Sequence, residues 1–230
     1  MKVKNHVLII LLFASVVCYS QSVTKYGVTV VNDTAFYHHM VNRDSLNKLV
    51  DLEKFIPGIK TDIRYATSNN FLGTAVYPPN VRAYLRLPAA IALKKVQEEL
   101  NKKGLGLKIY DAYRPYSVTV IFWDKVKDTN FVSSPWQGSR HNRGCAVDLT
   151  IINLKTGNEI EMPTQLDDFS AKAHPDYNKL PDTVKANRAL LFKVMTKYGF
   201  RKFATEWWHF DFSGWENYFL MDLRFDQLEK

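Results

Sequence analysis

The chain predicts an α+β fold: one domain on a central antiparallel sheet, with helices packed against one of its faces. Three observations lead there. The 230 residues are of single-domain length once a leader is set aside. Helical and strand-like runs are interspersed, with no internal repeat or low-complexity stretch. Polar residues suited to one chemistry sit on two strand-like segments far apart in sequence. Those strands must therefore lie side by side, leaving the opposite face to the helices.

The elements follow in order. Pro88 opens the first helix at a position proline favours. Residues 89–103 are amphipathic, with Ile91, Leu93, Val96 and Leu100 on or near one face, and Gly104 stops them. Residues 107–110 read as a strand and 116–127 as a second helix. Residues 146–152 form an apolar strand, and the turn at 153–158 leads into another short one. Residues 181–198 are the longest helix, with Leu190, Leu191, Val194 and Met195 toward the core and Gly199 closing it. Residues 207–212 are the last strand. On it Trp207, His209 and Asp211 share one face and Trp208, Phe210 and Phe212 the other.

The chemistry concentrates in two segments. One is Ser139-Arg140-His141-Asn142-Arg143-Gly144-Cys145-Ala146-Val147-Asp148; the other is Glu206-Trp207-Trp208-His209. Two imidazoles and a carboxylate suit zinc, and three protein ligands leave a fourth position open. Asp148 opens the apolar run Leu149-Thr150-Ile151-Ile152. A carboxylate at the mouth of a buried strand needs a partner or a metal. Small Gly144 and Ala146 let the backbone there approach other groups closely. Glu206 stands ready to take or deliver a proton.

The pattern Ser-x-His-x-x-Gly-x-Ala-x-Asp followed by Glu-x-x-His resembles the zinc D-Ala-D-Ala metallopeptidases, which group with the lysostaphin-type and hedgehog-type folds. Further stretches resemble the D-alanyl-D-alanine dipeptidase branch, the type found in vancomycin resistance. They are Asp62-Ile63-Arg64-Tyr65-Ala66-Thr67 with Asn69-Asn70-Phe71-Leu72-Gly73, then Asp111-Ala112-Tyr113-Arg114-Pro115, and residues 162–174. The resemblance covers roughly residues 52–225. It implies one Zn2+ per chain on His141, Asp148 and His209, with Glu206 as catalytic base. It also implies Arg114 as stabiliser of the tetrahedral intermediate, and Ser139 and Asp167 as holders of the dipeptide's amino end. The chain departs from the family at Leu166-Asp167-Asp168-Phe169, where either Asp167 or Asp168 matches the family's acid.

Plainer readings stand beside these. Cys145, between two proposed ligands, reads either as a ligand or as a small buried core residue. Asp211 reads as a partner of a ligand imidazole or as a solvated edge acid. Arg114 reads as catalytic or as a surface pair, and it follows a strand at an edge where sites are often built. His38 and His39 read as surface residues, and His174 as a structural loop residue.

Residues 1–20 have a basic start at Lys2 and Lys4, then an apolar stretch from Val7 to Val17. That pattern implies a signal peptide with cleavage before Gln21, hence a periplasmic or cell-surface protein. The run is shorter than the roughly 20 residues of a membrane span. Ser15-Val16-Val17 is a poor context for lipidation of Cys18. Residues 21–50 are polar and read as an arm or a mobile N-terminal segment, and 51–230 as the catalytic domain. Cleavage leaves only Cys145, so no internal disulfide is available. The net charge of +8 comes without a Lys/Arg run of the nucleic-acid type. The expected partner is a small peptide, D-Ala-D-Ala. The expected reaction is hydrolysis to two D-alanines. Two other readings use the same residues: a peptidoglycan D,D- or L,D-carboxypeptidase, and a non-catalytic zinc-containing binding domain. Glu206 argues against the second, because a structural site needs no base.

Overall fold

The computed structural model describes residues 21–228. The expected signal peptide lies outside the described residues. The strands and helices run β1 Ser22–Val23, β2 Thr29–Val30, α1 Thr34–Arg43, β3 Leu49–Asp51, α2 Leu52–Phe55, β4 Lys60–Thr61 and β5 Tyr84–Arg86. They continue with α3 Leu87–Asn101, β6 Leu105–Asp111, α4 Tyr116–Val126, β7 Ala146–Asn153, α5 Asp182–Lys197, β8 Phe200–Lys202 and β9 His209–Phe212.

The main sheet has five strands in the order β4-β6-β7-β9-β8. It is antiparallel except at one edge, where the two-residue β4 runs parallel to β6. β7, the longest strand, sits at the centre. Its inward residues Val147, Leu149 and Ile151 join Phe210 of β9 and Leu107 and Ile109 of β6 in the main core. α3 packs on β6 and on α5, and α5 packs on β8. Leu93, Val96 and Leu100 of α3 and Leu191, Val194 and Met195 of α5 complete that core. The alternation of β7 therefore sends Asp148 to the face away from these helices.

Several expectations are corrected. Ile91 is 41% exposed, because it lies off the stripe set by Ala89, Leu93, Val96 and Leu100. The short strand expected after the turn at Asn153 is one isolated bridge, Ile152 to Glu159. The Asn153 side chain organises the turn by accepting from the amides of Lys155 and Thr156. The last strand begins at His209, so the alternation does not reach Trp207 and Trp208; both indoles are in the core.

Residues 21–50 pack against the rest of the chain. Asp33 caps α1 by accepting from Phe36 N–H, and Tyr37 and Met40, one turn apart, are buried. With Val31 and Leu49 they join a second core that includes Tyr65, Tyr77, Tyr113 and Phe122. β3 pairs with β5 to fix the end of the arm. His38 is exposed and His39 half-buried on α1. Cys145 is fully buried, and burial pushes its thiol up to about 12, which fits a core residue.

Candidate metal and catalytic site

The register of β7 against β9 pairs Asp148 with His209 directly. His141 reaches the same point from a single 3-10 turn, His141–Arg143, that ends at Gly144. Gly144 has φ +68°, and a Cβ there would meet Leu49 Cδ2 at 2.5 Å and Arg86 N at 3.3 Å. Only glycine allows that loop to lie so close to the β3–β5 pair.

Asn142 holds the loop from inside. Its Oδ1 accepts from Ser139 N–H at 2.7 Å, and its Nδ2 donates to the Arg114 carbonyl at 2.9 Å and to Thr119 Oγ1 at 2.8 Å. It is fully buried. Sequence reading passed over it, because an Asn beside a His in a loop carries no distinctive spacing.

The three candidate ligand atoms converge. His141 Nε2 is 3.2 Å from His209 Nδ1 and 3.4 Å from Asp148 Oδ2, and His209 Nδ1 is 3.0 Å from Asp148 Oδ1. Two ligands about 2.0 Å from a tetrahedral zinc stand about 3.3 Å apart, so the spacing fits. The outer nitrogens fix the tautomers. His141 Nδ1 is 2.7 Å from the Ala112 carbonyl, and His209 Nε2 is 2.9 Å from Asp211 Oδ1; each must donate there. The inner nitrogens then present lone pairs to one another and to a carboxylate, an arrangement that a cation resolves. Burial pushes the Asp148 carboxyl up, but the His141 and His209 imidazoles outweigh it and hold it well below the usual carboxylate range. Burial would lower the His209 imidazole, but Asp211 and Asp148 push it well above its usual value. Without a metal the cluster therefore draws in a proton, and a divalent cation would supply that positive charge instead.

Glu206 stands beside this cluster without joining it, with Oε2 3.8 Å from His209 Nδ1. Burial pushes its carboxyl up to about 8, against the pull of His209 and reinforced by Asp148 and Asp167. A carboxyl raised by burial is the more readily protonated, as a group that both takes and gives a proton requires.

Arg114 is buried, not a surface pair. Its Nε and Nη2 donate to Asp111 Oδ2 at 2.9 and 2.7 Å, and Nη2 is 3.8 Å from Asp148 Oδ2. Asp111 Oδ1 accepts from Tyr77 OH and Ala112 N–H, both at 2.9 Å. The guanidinium lies 4.5 Å from the Phe122 ring centroid and 5.4 Å from that of Tyr65. Burial would lower its pKa, but Asp111 more than compensates and the charge is fixed. The register of β6 shifts between Ile109 and Asp111, which carries Asp111 opposite Asp148. Asp111 was legible only as part of a motif, with no role attached.

These groups border one cavity of about 160 Å³. Its far wall comes from loops. Asp167 accepts from Tyr65 OH at 2.9 Å and from Phe71 N–H at 3.3 Å, and its backbone is left-handed at φ +61°. Burial pushes its carboxyl up to about 6. Asp168 instead accepts from Ser170 N–H, and of the two acids only Asp167 borders the cavity. Ser139 lines the cavity, with its Oγ accepting from His141 N–H at 3.2 Å. Phe169 packs against Phe71 edge-on, with centroids 5.5 Å apart, and against Phe131 at a tilt, with centroids 4.8 Å apart; all three rings border the cavity with Asp167. His174 is outside the cavity; its carbonyl accepts from Arg188.

Residues 45–226 match the D-Ala-D-Ala dipeptidase family. The chain belongs to that family. The D-alanyl-D-alanine dipeptidase of Escherichia coli is 35% identical over 164 residues, 71% of this chain and 84% of that protein. The D-alanyl-D-alanine dipeptidase of Enterococcus faecalis is 28% identical over 183 residues, 71% of this chain and 91% of that protein. Among solved structures, the LdcB LD-carboxypeptidase is 21% identical with a TM-score of 0.43, over 79% of this chain and 77% of that one. The family match begins at residue 45, so most of the packed arm lies before it.

Proposed function

We propose that this family member is a zinc-dependent dipeptidase that hydrolyses D-alanyl-D-alanine to two D-alanines, with the zinc on His141, Asp148 and His209. One observation carries the reading: three inward lone-pair donors, a free carboxylate and a fixed guanidinium meet at a cavity that also holds a second acid. When bound, the ion supplies Lewis-acid polarisation of the scissile carbonyl and makes water acidic enough to attack near neutrality.

The chain's own residues do the rest. Glu206 takes the proton of the attacking water at Oε2 and hands it to the leaving nitrogen. Arg114, held rigid by Asp111, presents positive charge where the carbonyl oxygen becomes anionic, a contribution of about 3 kcal/mol for one donor. Asp167 receives the substrate ammonium at the far wall, with Ser139 beside it. Burying an ammonium against a carboxylate rewards substrates that have one. An acylated or extended substrate leaves the acid unpaired, which costs a few kcal/mol in a dry site.

Residues 1–20 are read as a signal peptide and the mature protein as periplasmic or cell-surface. Residues 51–230 are read as the catalytic domain, with 21–50 strapped onto it. Among the described residues no helix is long and apolar enough to cross a membrane.

The test is release of D-Ala from D-Ala-D-Ala, from its N-acetyl form and from a stem pentapeptide, by zinc-loaded protein. The dipeptide alone should be cleaved well. Equal or faster cleavage of the blocked and long substrates would favour the carboxypeptidase. No cleavage of any of the three, with zinc bound, would favour a binding domain.

A further inference from the structure

We propose that Asp211 is a positioning residue of the metal centre: it holds His209 in the tautomer and ring orientation that turn the Nδ1 lone pair toward the ion. The inference rests on the ligand set proposed above and adds a residue to it.

The two imidazoles are steered by different means. His141 gives its outer N–H to the backbone carbonyl of Ala112. His209 gives its outer N–H to a side chain, Asp211 Oδ1, at 2.9 Å. Asp211 is two residues further along β9, on the same face, in a stretch paired on both sides: Ala146 of β7 and Arg201 of β8. Its backbone is thus fixed by two ladders, and only 8% of the residue is exposed. The carboxylate is held from its other side as well. Arg140 Nε lies 3.7 Å from Asp211 Oδ2, and the Arg140 guanidinium sits 4.8 Å over the Trp215 ring. Asp211 therefore stands between a cation fixed on an indole and an imidazole N–H.

Two physical consequences follow. Half a turn of the His209 ring about its Cβ–Cγ bond would bring a carbon to the ion. The bond to Asp211 opposes that turn, and Phe203 packs against the ring with centroids 5.1 Å apart. A carboxylate acceptor also raises the electron density on the opposite nitrogen, which makes His209 a stronger ligand than an imidazole bonded to a neutral acceptor. Because His141 relies on backbone, Asp211 is the place where a side-chain substitution can loosen a ligand without touching one.

The experiment is zinc affinity by competition with a chromophoric chelator, on metal-free wild type, Asp211→Asn and Asp211→Ala, with a thermal melt of each metal-free protein. Asn keeps the shape of Asp and removes the charge; Ala removes the acceptor as well. The dissociation constant for zinc should rise by about 10- to 100-fold, more for Ala than for Asn. A purely structural ion pair with Arg140 would lower the metal-free melt and leave the affinity unchanged, and that result overturns the inference. Failure of the wild type to take up zinc overturns the ligand reading and the inference together. Uptake by wild type with equal affinity in both variants overturns the inference alone.

Discussion

The two walls of the cavity are built differently. The wall bearing His141, Asp148 and His209 stands on β7 and β9, paired in register, and on a turn pinned by the buried Asn142. Asp167 and the Phe71, Phe131 and Phe169 rings, which line the same cavity, stand on loops without ladder pairing. Side chains on paired strands are held to tenths of an ångström, whereas recognition of a flexible ligand end tolerates loops. The loop wall is still not loose. Asp167 holds a left-handed backbone and takes two hydrogen bonds, so its strain is compensated locally.

Substituting the two groups that border the strand wall from outside the ladders, Glu206 and Arg114, should cost most. Glu206→Gln should keep one zinc per chain and lose turnover by about 10²–10⁴-fold; metal analysis beside a D-Ala release assay checks both halves. Near wild-type turnover would assign the base elsewhere. Arg114→Lys keeps a positive charge but loses the fork clamped by Asp111. It should lower kcat by about 10²–10³-fold with a much smaller change in KM. A melt near wild type with kcat retained would reduce Arg114 to a brace of its turn.

The loop wall should yield a smaller, pH-shaped effect. The ionised form of Asp167 is the one that pairs with an ammonium, and its carboxyl titrates at about 6. kcat/KM should therefore carry a limb that falls as pH drops below about 6, separate from the limb that the base Glu206 sets at higher pH. Asp167→Asn should lower the plateau by about 10- to 100-fold and erase that limb. An unchanged limb in the variant would trace it to another group. Least of all, exposed His38→Ala should shift stability by no more than about 0.5 kcal/mol and leave zinc content unaltered.

The strand wall was legible because strand chemistry is periodic. Alternation along residues 146–152 puts Asp148 opposite the core, and the same alternation on the partner strand puts His209 and Asp211 beside it. Loop chemistry has no such period. Asp167 and Asp168 are adjacent acids, and only Tyr65 and Phe71, about a hundred residues earlier, distinguish them. The Asp111–Tyr77 clamp on Arg114 is likewise a contact between distant segments. The packing of the arm is illegible in the sequence for another reason. Its polar composition hid a capped helix whose Tyr37 and Met40 fall on one face, and Asp33 before Thr34 was the available signal.

Arg86 gives the arm a further meaning. This guanidinium is fully buried, with Nε donating to the Arg143 carbonyl at 2.9 Å, Nη1 to the Asn47 carbonyl and Nη2 to Met221 Sδ. One cation thus clips together the end of the arm, the turn that carries His141, and a segment near the C-terminus. Its acceptors are all neutral, so removing one exposes the cost of an unpaired buried charge. Asn47 lies just inside the stretch that matches the family, so this clip ties the start of the matched region to the turn that carries His141.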